Sequence, residues 1–200
     1  MPDWSVRAVL WDADGVLQST PASSWALAAR VVAQFPDALI GAPIDEERIR
    51  YATNSLGLGE SVDDILAVWS KFDLMLPSLE IVSLVRAAGT QCHLATNQDS
   101  YRAAFMRTLT PYEEILDGTY YSCDIGVAKP STDFFDYIAT DLGLSSSQLL
   151  FLDDQASNVV GARSAGLNAE QWTHADGISQ LHDILTAHEV LLSREDRIVR

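Results

Sequence analysis

The chain has 200 residues, 48% of them hydrophobic and 20% charged, with a formal net charge of −15. This length and apolar content suit one compact domain, or one domain carrying a modest insert, and exclude a disordered chain. An excess of 28 acidic over 13 basic residues repels polyphosphate chains and anionic lipid, so neither nucleic acid nor a membrane surface is expected as a partner.

A small anion stays compatible with that charge, because a divalent cation or a few placed donors reverse the local field. The fully apolar runs are short, such as Ala8–Trp11, and none approaches the length of a membrane span. The N-terminus, Met1-Pro2-Asp3-Trp4, lacks a basic segment followed by a secretory apolar core. Cys92 and Cys123 stand far apart with no His or Cys cluster beside either, which fits reduced, buried thiols in a cytoplasmic protein.

In chain order, Val6–Trp11 reads as a strand buried on both faces, stopped by Asp12-Ala13-Asp14-Gly15. From Ser23 to about Lys71 the spacing turns helical. Trp25, Leu27, Ala28, Val31 and Val32 form one stripe, and Ile65, Leu66, Val68 and Trp69 another, with breaks at Gly41-Ala42-Pro43 and Gly57-Leu58-Gly59. No strand signal interrupts this stretch, which is expected to be a helical insert. After Pro77 the pattern alternates: a helix Ser78–Ala88, a strand Gln91–Ala95 ending at Thr96-Asn97, and a helix from about Asp99 to Leu109. A weaker strand at Thr119–Ser122 and a helix Ser131–Leu142 follow. Then come the strand Leu149–Leu152 running into Asp153-Asp154, a helix Ala156–Ala165, a short strand Ala169–Trp172 and a covering helix Ile178–Leu192. Ser145-x-x-Gln148 has the spacing of a capping box. This rhythm predicts right-handed βαβ crossovers and a Rossmann-like, doubly wound parallel sheet: core residues 1–17 and 76–200, with a small helical cap at 18–75.

The polar residues fall at strand ends. Asp12 and Asp14 end the first strand, Thr96 and Asn97 the second, and Asp153 and Asp154 the one after Lys129. The carboxyl ends of parallel strands form the crevice where ligands bind, so these groups are expected to converge. Up to four carboxylates in one crevice call for a hard cation, and few carboxylates plus water suit Mg²⁺. Adding the Lys129 ammonium with the Thr96 hydroxyl and Asn97 amide gives a receptor for a phosphoryl group. Asp12 and Asp14, two residues apart, lean to one side if strand geometry persists. One can then attack phosphorus while the other handles the proton of the leaving oxygen.

The set Asp12-Ala13-Asp14-Gly15-Val16-Leu17, Thr96-Asn97, Lys129-Pro130 and Leu152-Asp153-Asp154-x-x-x-Asn158 resembles the four motifs of the haloacid dehalogenase-like hydrolases. The last motif, with Gly161-Ala162-Arg163 and Ala165-Gly166-Leu167 behind it, is similar to a branch of small-capped members. That branch holds sugar-phosphate phosphatases and the N-terminal phosphatase domain of soluble epoxide hydrolase. The resemblance implies Asp12 as nucleophile and metal ligand, and Asp14 as acid and base with its carbonyl on the metal. It further implies Thr96, Asn97 and Lys129 as phosphate binders and Asp154 as the main acidic metal ligand. Asp153 and Asn158 would support them, with Asp153 holding Lys129 or acting through water. Trp11 stands where the family usually has Phe.

The expected activity is Mg²⁺-dependent hydrolysis of a small phosphate monoester, a sugar phosphate or similar metabolite, by a monomer or homodimer. Within the same fold, a phosphomutase and a 2-haloacid dehalogenase compete with it, the latter needing neither Asp14 nor the acidic pair. Outside enzymes stand a silent phospho-ligand module and a phospho-accepting receiver, whose acidic pair would precede its Thr and Lys rather than follow them. The simpler roles of these residues are turn formation for Asp12 and Asp14, and helix capping for Thr96-Asn97 and Asp153-Asp154. His93, His174, His182 and His188 show no ligand spacing and read as structural or surface groups. Trp25 and Trp69 read as core, and Gln18, Arg30, Arg48 and Tyr51 as residues able to face a substrate.

Overall fold

In the computed structural model, which describes residues 5–21, 26, 29–58, 62–69 and 71–190, the alternating segments form one five-stranded parallel sheet. Its strands are β1 (Ala8–Trp11), β4 (Gln91–Thr96), β5 (Gly118–Tyr121), β6 (Leu149–Asp153) and β7 (Asn168–Gln171), ordered β5-β4-β1-β6-β7. β1 is central and pairs in parallel with β4 on one side and β6 on the other. The chain runs from β1 to β4 and β5 on one side, then crosses to β6 and β7 on the other, which makes the crevice between the C-terminal ends of β1 and β6 a topological switch point.

Alternation along the strands divides the core. Val9, Trp11, Leu150 and Leu152 face one layer with Val82, Val85, Trp172, Leu181 and Leu185. Ala8, Leu10, Leu149 and Phe151 face the other with Phe134, Phe135, Ile138 and Ala162. A strand buried on both faces has no polar side, which is why β1 and β6 read as unbroken apolar runs. The covering helices are α3 (Leu76–Ala87), α4 (Ser100–Leu109), α7 (Thr132–Leu142), α8 (Ala156–Ser164) and α9 (Ile178–Ala187).

Several boundaries differ from the sequence expectation. α3 starts at Leu76 rather than Ser78, because Pro77 sits in the first turn, where the missing N–H has no partner to lose. The fifth strand ends at Tyr121, and Ser122 opens the one-turn helix α6 (Ser122–Ile125); another such turn, α5 (Tyr112–Ile115), precedes it. Neither is long enough to show a period in sequence. The last helix ends at Ala187, and residues 191–200 lie outside the described set. Ser145 and Gln148 do form a reciprocal cap, with the Ser145 N–H donating to Gln148 Oε1 at 3.0 Å.

Between β1 and α3 the chain forms the helical insert. Its stem is a two-stranded antiparallel pair, β2 (Gln18–Ser19) with β3 (Asp73–Leu74). Within it lie a helical stretch at 29–32, a 3₁₀ turn at Pro36–Ile40, α1 (Glu46–Ser55) and α2 (Val62–Trp69). Asp45 caps α1 by accepting the Arg48 N–H at 2.8 Å. Val31, Phe35, Ala38, Ile44, Ile49 and Ala52 make a small core of their own, and Leu66 packs against it. Tyr101 and Phe105 of α4 pack there too, joining the insert to the sheet layer. Trp25, Leu27 and Ala28 lie outside the described residues, as do the side chains of Ile65, Val68 and Trp69. Among the described residues no helix is long and apolar enough to cross a membrane.

Candidate active site

The strand ends determine the site. The β1–β6 ladder continues one residue past β1, where the Asp12 N–H donates to Leu152 O at 3.0 Å, setting Asp12 beside the end of β6. The chain then turns sharply: Ala13 O accepts from the N–H groups of Val16, Leu17 and Gln18. Gly15 adopts φ +82°, and a Cβ there would lie 2.9 Å from the Asp154 carboxyl carbon. Both its backbone conformation and this close approach select glycine.

Lys129 sits at the centre, 5% exposed. Its Nζ donates to Asp12 Oδ1 at 2.7 Å, Asp153 Oδ2 at 2.7 Å and Ala95 O at 2.9 Å, so all three ammonium protons are engaged and three strand ends are tied together. Its backbone is clamped by Asn97, whose Nδ2 donates to Lys129 O and whose Oδ1 accepts the Lys129 N–H, each at 2.9 Å. The Asn97 amide thus holds the lysine loop instead of pointing both groups at a ligand. Gly161 of α8 lets that loop pack closely, since a Cβ there would come 2.2 Å from Pro130 O.

Asp153 is fully buried and saturated. Besides Lys129, its oxygens accept the Gln155 N–H at 2.7 Å and the Asn158 amide at 3.0 and 3.1 Å. Asp153 thereby holds the N–H of Gln155, the residue that precedes α8, without capping the helix, and Asn158 orients Asp153. Asp154 is half-buried and accepts from Gln155 Nε2 at 2.9 Å. Oxygens of Asp12, Asp153 and Asp154 all lie within 4.8 Å of one another. Burial pushes the Asp12 carboxyl up to about 7 against the pull of Lys129, with Asp153 and Asp14 adding repulsion. Burial also opposes the Lys129 charge, yet Asp12 and Asp153 outweigh it and raise the ammonium above its usual range. Asp154 is raised as well, by burial and then by the neighbouring Asp153 and Asp14 charges.

The Asp14 side chain is turned away from this cluster. Its Oδ1 accepts from Arg102 Nη2 at 2.6 Å and Gln18 Nε2 at 3.0 Å, and its Oδ2 from Gln98 Nε2 at 2.9 Å. Thr96 is buried and its hydroxyl accepts from Gln98 at 3.2 Å. Thr96 and Asn97 do not cap α4. Asp99 does, accepting the N–H groups of Tyr101 and Arg102 at 2.9 Å, because the chain needs two more residues to leave the strand. A cavity of about 650 Å³ opens above these groups, lined by Asp12, Asp14, Thr96, Asn97, Lys129 and Asp154 among others.

Sequence reasoning missed Arg102, Gln98 and the Thr173-His174 pair. Arg102 is 3% exposed and lies four residues before the buried Met106, a charged residue on an apolar helical face; that anomaly was its one signal. His174, expected to be structural or at the surface, lines the cavity. Gly15 O accepts the His174 N–H at 2.8 Å, His174 Nδ1 at 2.9 Å and Thr173 Oγ1 at 2.9 Å, so the loop after β7 fixes the turn after β1. No sequence pattern marks a loop-to-loop bond of this kind. Of the four candidate substrate contacts, Gln18 is buried against Asp14 and Tyr112, Arg48 pairs with Asp37 at 2.9 Å, and Arg30 and Tyr51 are exposed; none lines the cavity. Cys92 and Cys123 are free and buried, and burial pushes their thiols up to about 12 and about 11.

The sequence model for haloacid dehalogenase-like hydrolases matches residues 6–166. The chain belongs to that family. Phosphatase MT3486 of Mycobacterium tuberculosis (strain CDC 1551 / Oshkosh) is 28% identical to it over 196 residues, covering 82% of this chain and 86% of that protein. Sesquiterpene phosphatase astK of Aspergillus oryzae is 24% identical over 94 residues, 46% of this chain and 48% of that protein. The match thus spans about half of that relative's length. The structure of the HAD family enzyme bt-2542 from Bacteroides thetaiotaomicron, in complex with magnesium and inorganic phosphate, superimposes with a TM-score of 0.72 at 21% identity, covering 88% of this chain and 99% of that one. At that identity the likeness carries the fold alone.

Proposed function

We propose that this hydrolase is a Mg²⁺-dependent phosphatase of a small phosphate monoester, with Asp12 as nucleophile and an aspartyl-phosphate intermediate. The observation that carries the reading is the Lys129 ammonium, 2.7 Å from Asp12 at the floor of a cavity that also receives Thr96, Asp14 and Asp154. The phosphatase names of two relatives support it. Displacement of halide would leave Asp14 and Asp154 idle.

The donor set suits a hard cation: clustered carboxylate oxygens with no Cys or His among them. Asp153 is saturated by its own donors, so Asp12 and Asp154 would hold the ion with the Asp14 carbonyl. A bound Mg²⁺ supplies charge neutralisation between these carboxylates and the phosphate oxygens. Lys129 and Thr96 bind and orient the phosphoryl group. A free Asp12 oxygen attacks phosphorus in line, the bond from phosphorus to the alcohol oxygen breaks, and that oxygen takes a proton from Asp14. Water then attacks the phosphorus of the aspartyl-phosphate, its proton passes to Asp14, and inorganic phosphate leaves with Asp12 regenerated. To serve as acid, Asp14 has to leave Arg102, so its release is part of the cycle.

The reading is tested by phosphate release from a panel of esters with Mg²⁺ titration. EDTA is expected to bring turnover to background and Mg²⁺ to restore it; turnover that persists in excess chelator contradicts the metal assignment. Asp14→Asn is expected to lower kcat by about 10²- to 10⁴-fold for alkyl phosphates, with a much smaller loss for nitrophenyl phosphate, whose leaving group needs no proton. Equal losses would remove Asp14 from the acid role. Gly15→Ala places a methyl against Asp154 in a conformation that costs an L-residue about 1–3 kcal/mol. It is expected to lower the melting temperature and weaken Mg²⁺ binding in calorimetry.

A further inference from the structure

The floor and the insert side of the cavity differ in chemistry. Among the described residues, the stem of the insert contributes the polar Ser19 and Thr20 to the cavity, and the helical part beyond it contributes Ala29, Val32, Ala33 and Leu39, all aliphatic. Ala29, Val32 and Ala33 have the i, i+3, i+4 spacing of one helical face, and the Ala33 N–H donates to Ala29 O at 3.0 Å. Val31 and Phe35, on the other face, fill the small core of the insert. The stretch is therefore apolar on two sides: Val31 and Phe35 are buried, Val32 is partly buried against the same core, and Ala29 and Ala33 are exposed among the described residues. An apolar helical face left open toward a cavity calls for an apolar occupant.

The rest of the lining carries the hydrogen-bonding groups, and much of that capacity is already engaged. Thr20 bonds Arg102, Gln98 bonds Asp14, Gln155 bonds Asp154, Asn158 bonds Asp153 and Thr173 bonds Gly15 O. A sugar held against Ala29, Val32, Ala33 and Leu39 would bring several hydroxyls to side chains offering them no partner, and an unpartnered buried hydroxyl is costly. We propose that the alcohol half of the substrate is an apolar hydrocarbon chain: the phosphate end sits at Lys129 and the chain runs along Ala29, Val32, Ala33 and Leu39. The proposal rests on the phosphatase reading and narrows it from phosphate monoesters in general to hydrocarbon ones. About 650 Å³ lies within the range of cavities that enclose a ligand of this kind.

The test is a series of n-alkyl phosphates from ethyl to octyl with Mg²⁺, compared with glucose 6-phosphate and acetyl phosphate on the full chain. Each added methylene is expected to raise kcat/KM about three- to fourfold until the cavity is filled. Glucose 6-phosphate is expected to fall below hexyl phosphate by at least about tenfold. In parallel, calorimetry with ethyl- and hexylphosphonate, which are not hydrolysed, should give tighter binding of hexylphosphonate. Val32→Thr, which exchanges a methyl for a hydroxyl, should narrow that gap in a protein whose circular dichroism is unchanged. A flat chain-length series, or a preference for glucose 6-phosphate, while acetyl phosphate is hydrolysed overturns the hydrocarbon assignment alone. If no ester is hydrolysed, acetyl phosphate included, the phosphatase reading fails. The phosphonates then decide the wall by themselves: equal binding of the two refutes it, and tighter hexylphosphonate binding upholds an apolar subsite.

Discussion

Asp12→Asn is expected to abolish phosphate release, by at least about 10⁴-fold, while leaving the protein as stable as before or more so. The two halves of this result have one cause. Asp12 and Asp153 both contact Lys129 at 2.7 Å, so two buried carboxylates share one ammonium. Burial pushes Asp12 up to about 7, from an ordinary value of 3.8. A carboxyl raised in the folded state binds more protons there than in the unfolded chain. Its stabilising contribution is therefore complete below its ordinary value and is lost as pH rises through about 7. Asparagine keeps the shape without the charge and leaves a one-to-one Lys129–Asp153 pair. In EDTA, the variant should gain in melting temperature over the parent as pH rises from 6 to 8, by scanning calorimetry. Such a trade of stability for chemistry is common where like charges must be gathered.

Lys129→Ala is the second large effect and has the opposite sign for stability. Its removal strands Asp12 and Asp153 in the interior and leaves Ala95 O without its donor. Breaking a buried pair in this way costs about 3–5 kcal/mol, which for a chain of this size lowers the melting temperature by on the order of 10 °C. Turnover should vanish as well, because nothing then neutralises the phosphoryl group beside Asp12. Lys129→Arg is not expected to rescue either property. The three acceptors surround Nζ, and a planar guanidinium cannot meet them from one point. Equal stability of Lys129→Ala and the parent in thermal unfolding would show that the pair is not the tie between strands described above.

How much of this is legible in sequence follows from what sequence can encode locally. The end of a buried strand is marked by the abrupt stop of an apolar run, so Asp12, Thr96 and Asp153 stand out, and parallel topology brings such ends together. Lys129 is legible only in combination with the strand-end residues, because by itself a lysine before a proline looks like any surface charge until its depth is known. Arg102 and His174 are opaque for another reason. Each acts on the turn after β1 from an element more than eighty residues away, through Asp14 or Gly15 O, and neither breaks a local rule strongly. Asn97 reads in sequence as an amide donor for phosphate, and its side-chain bonds to the Lys129 backbone are a pairing that only the fold reveals. The short helices α5 and α6 fall below one hydrophobic period. The part of the insert that lines the cavity is hidden too, since a face with Ala29, Val32 and Ala33 looks like core until its neighbours are seen.

In the proposed reaction Asp12 takes the phosphoryl group onto its own carboxylate. This step is tested most directly by acid-quenching the enzyme within a single turnover of acetyl phosphate and Mg²⁺, then mapping the phosphorylated peptide by mass spectrometry. The expected result is a phosphoryl adduct on Asp12 that forms and decays at the rate of turnover and is missing in Asp12→Asn. An adduct on another residue, or turnover in Asp12→Asn at the parental rate, would contradict the account.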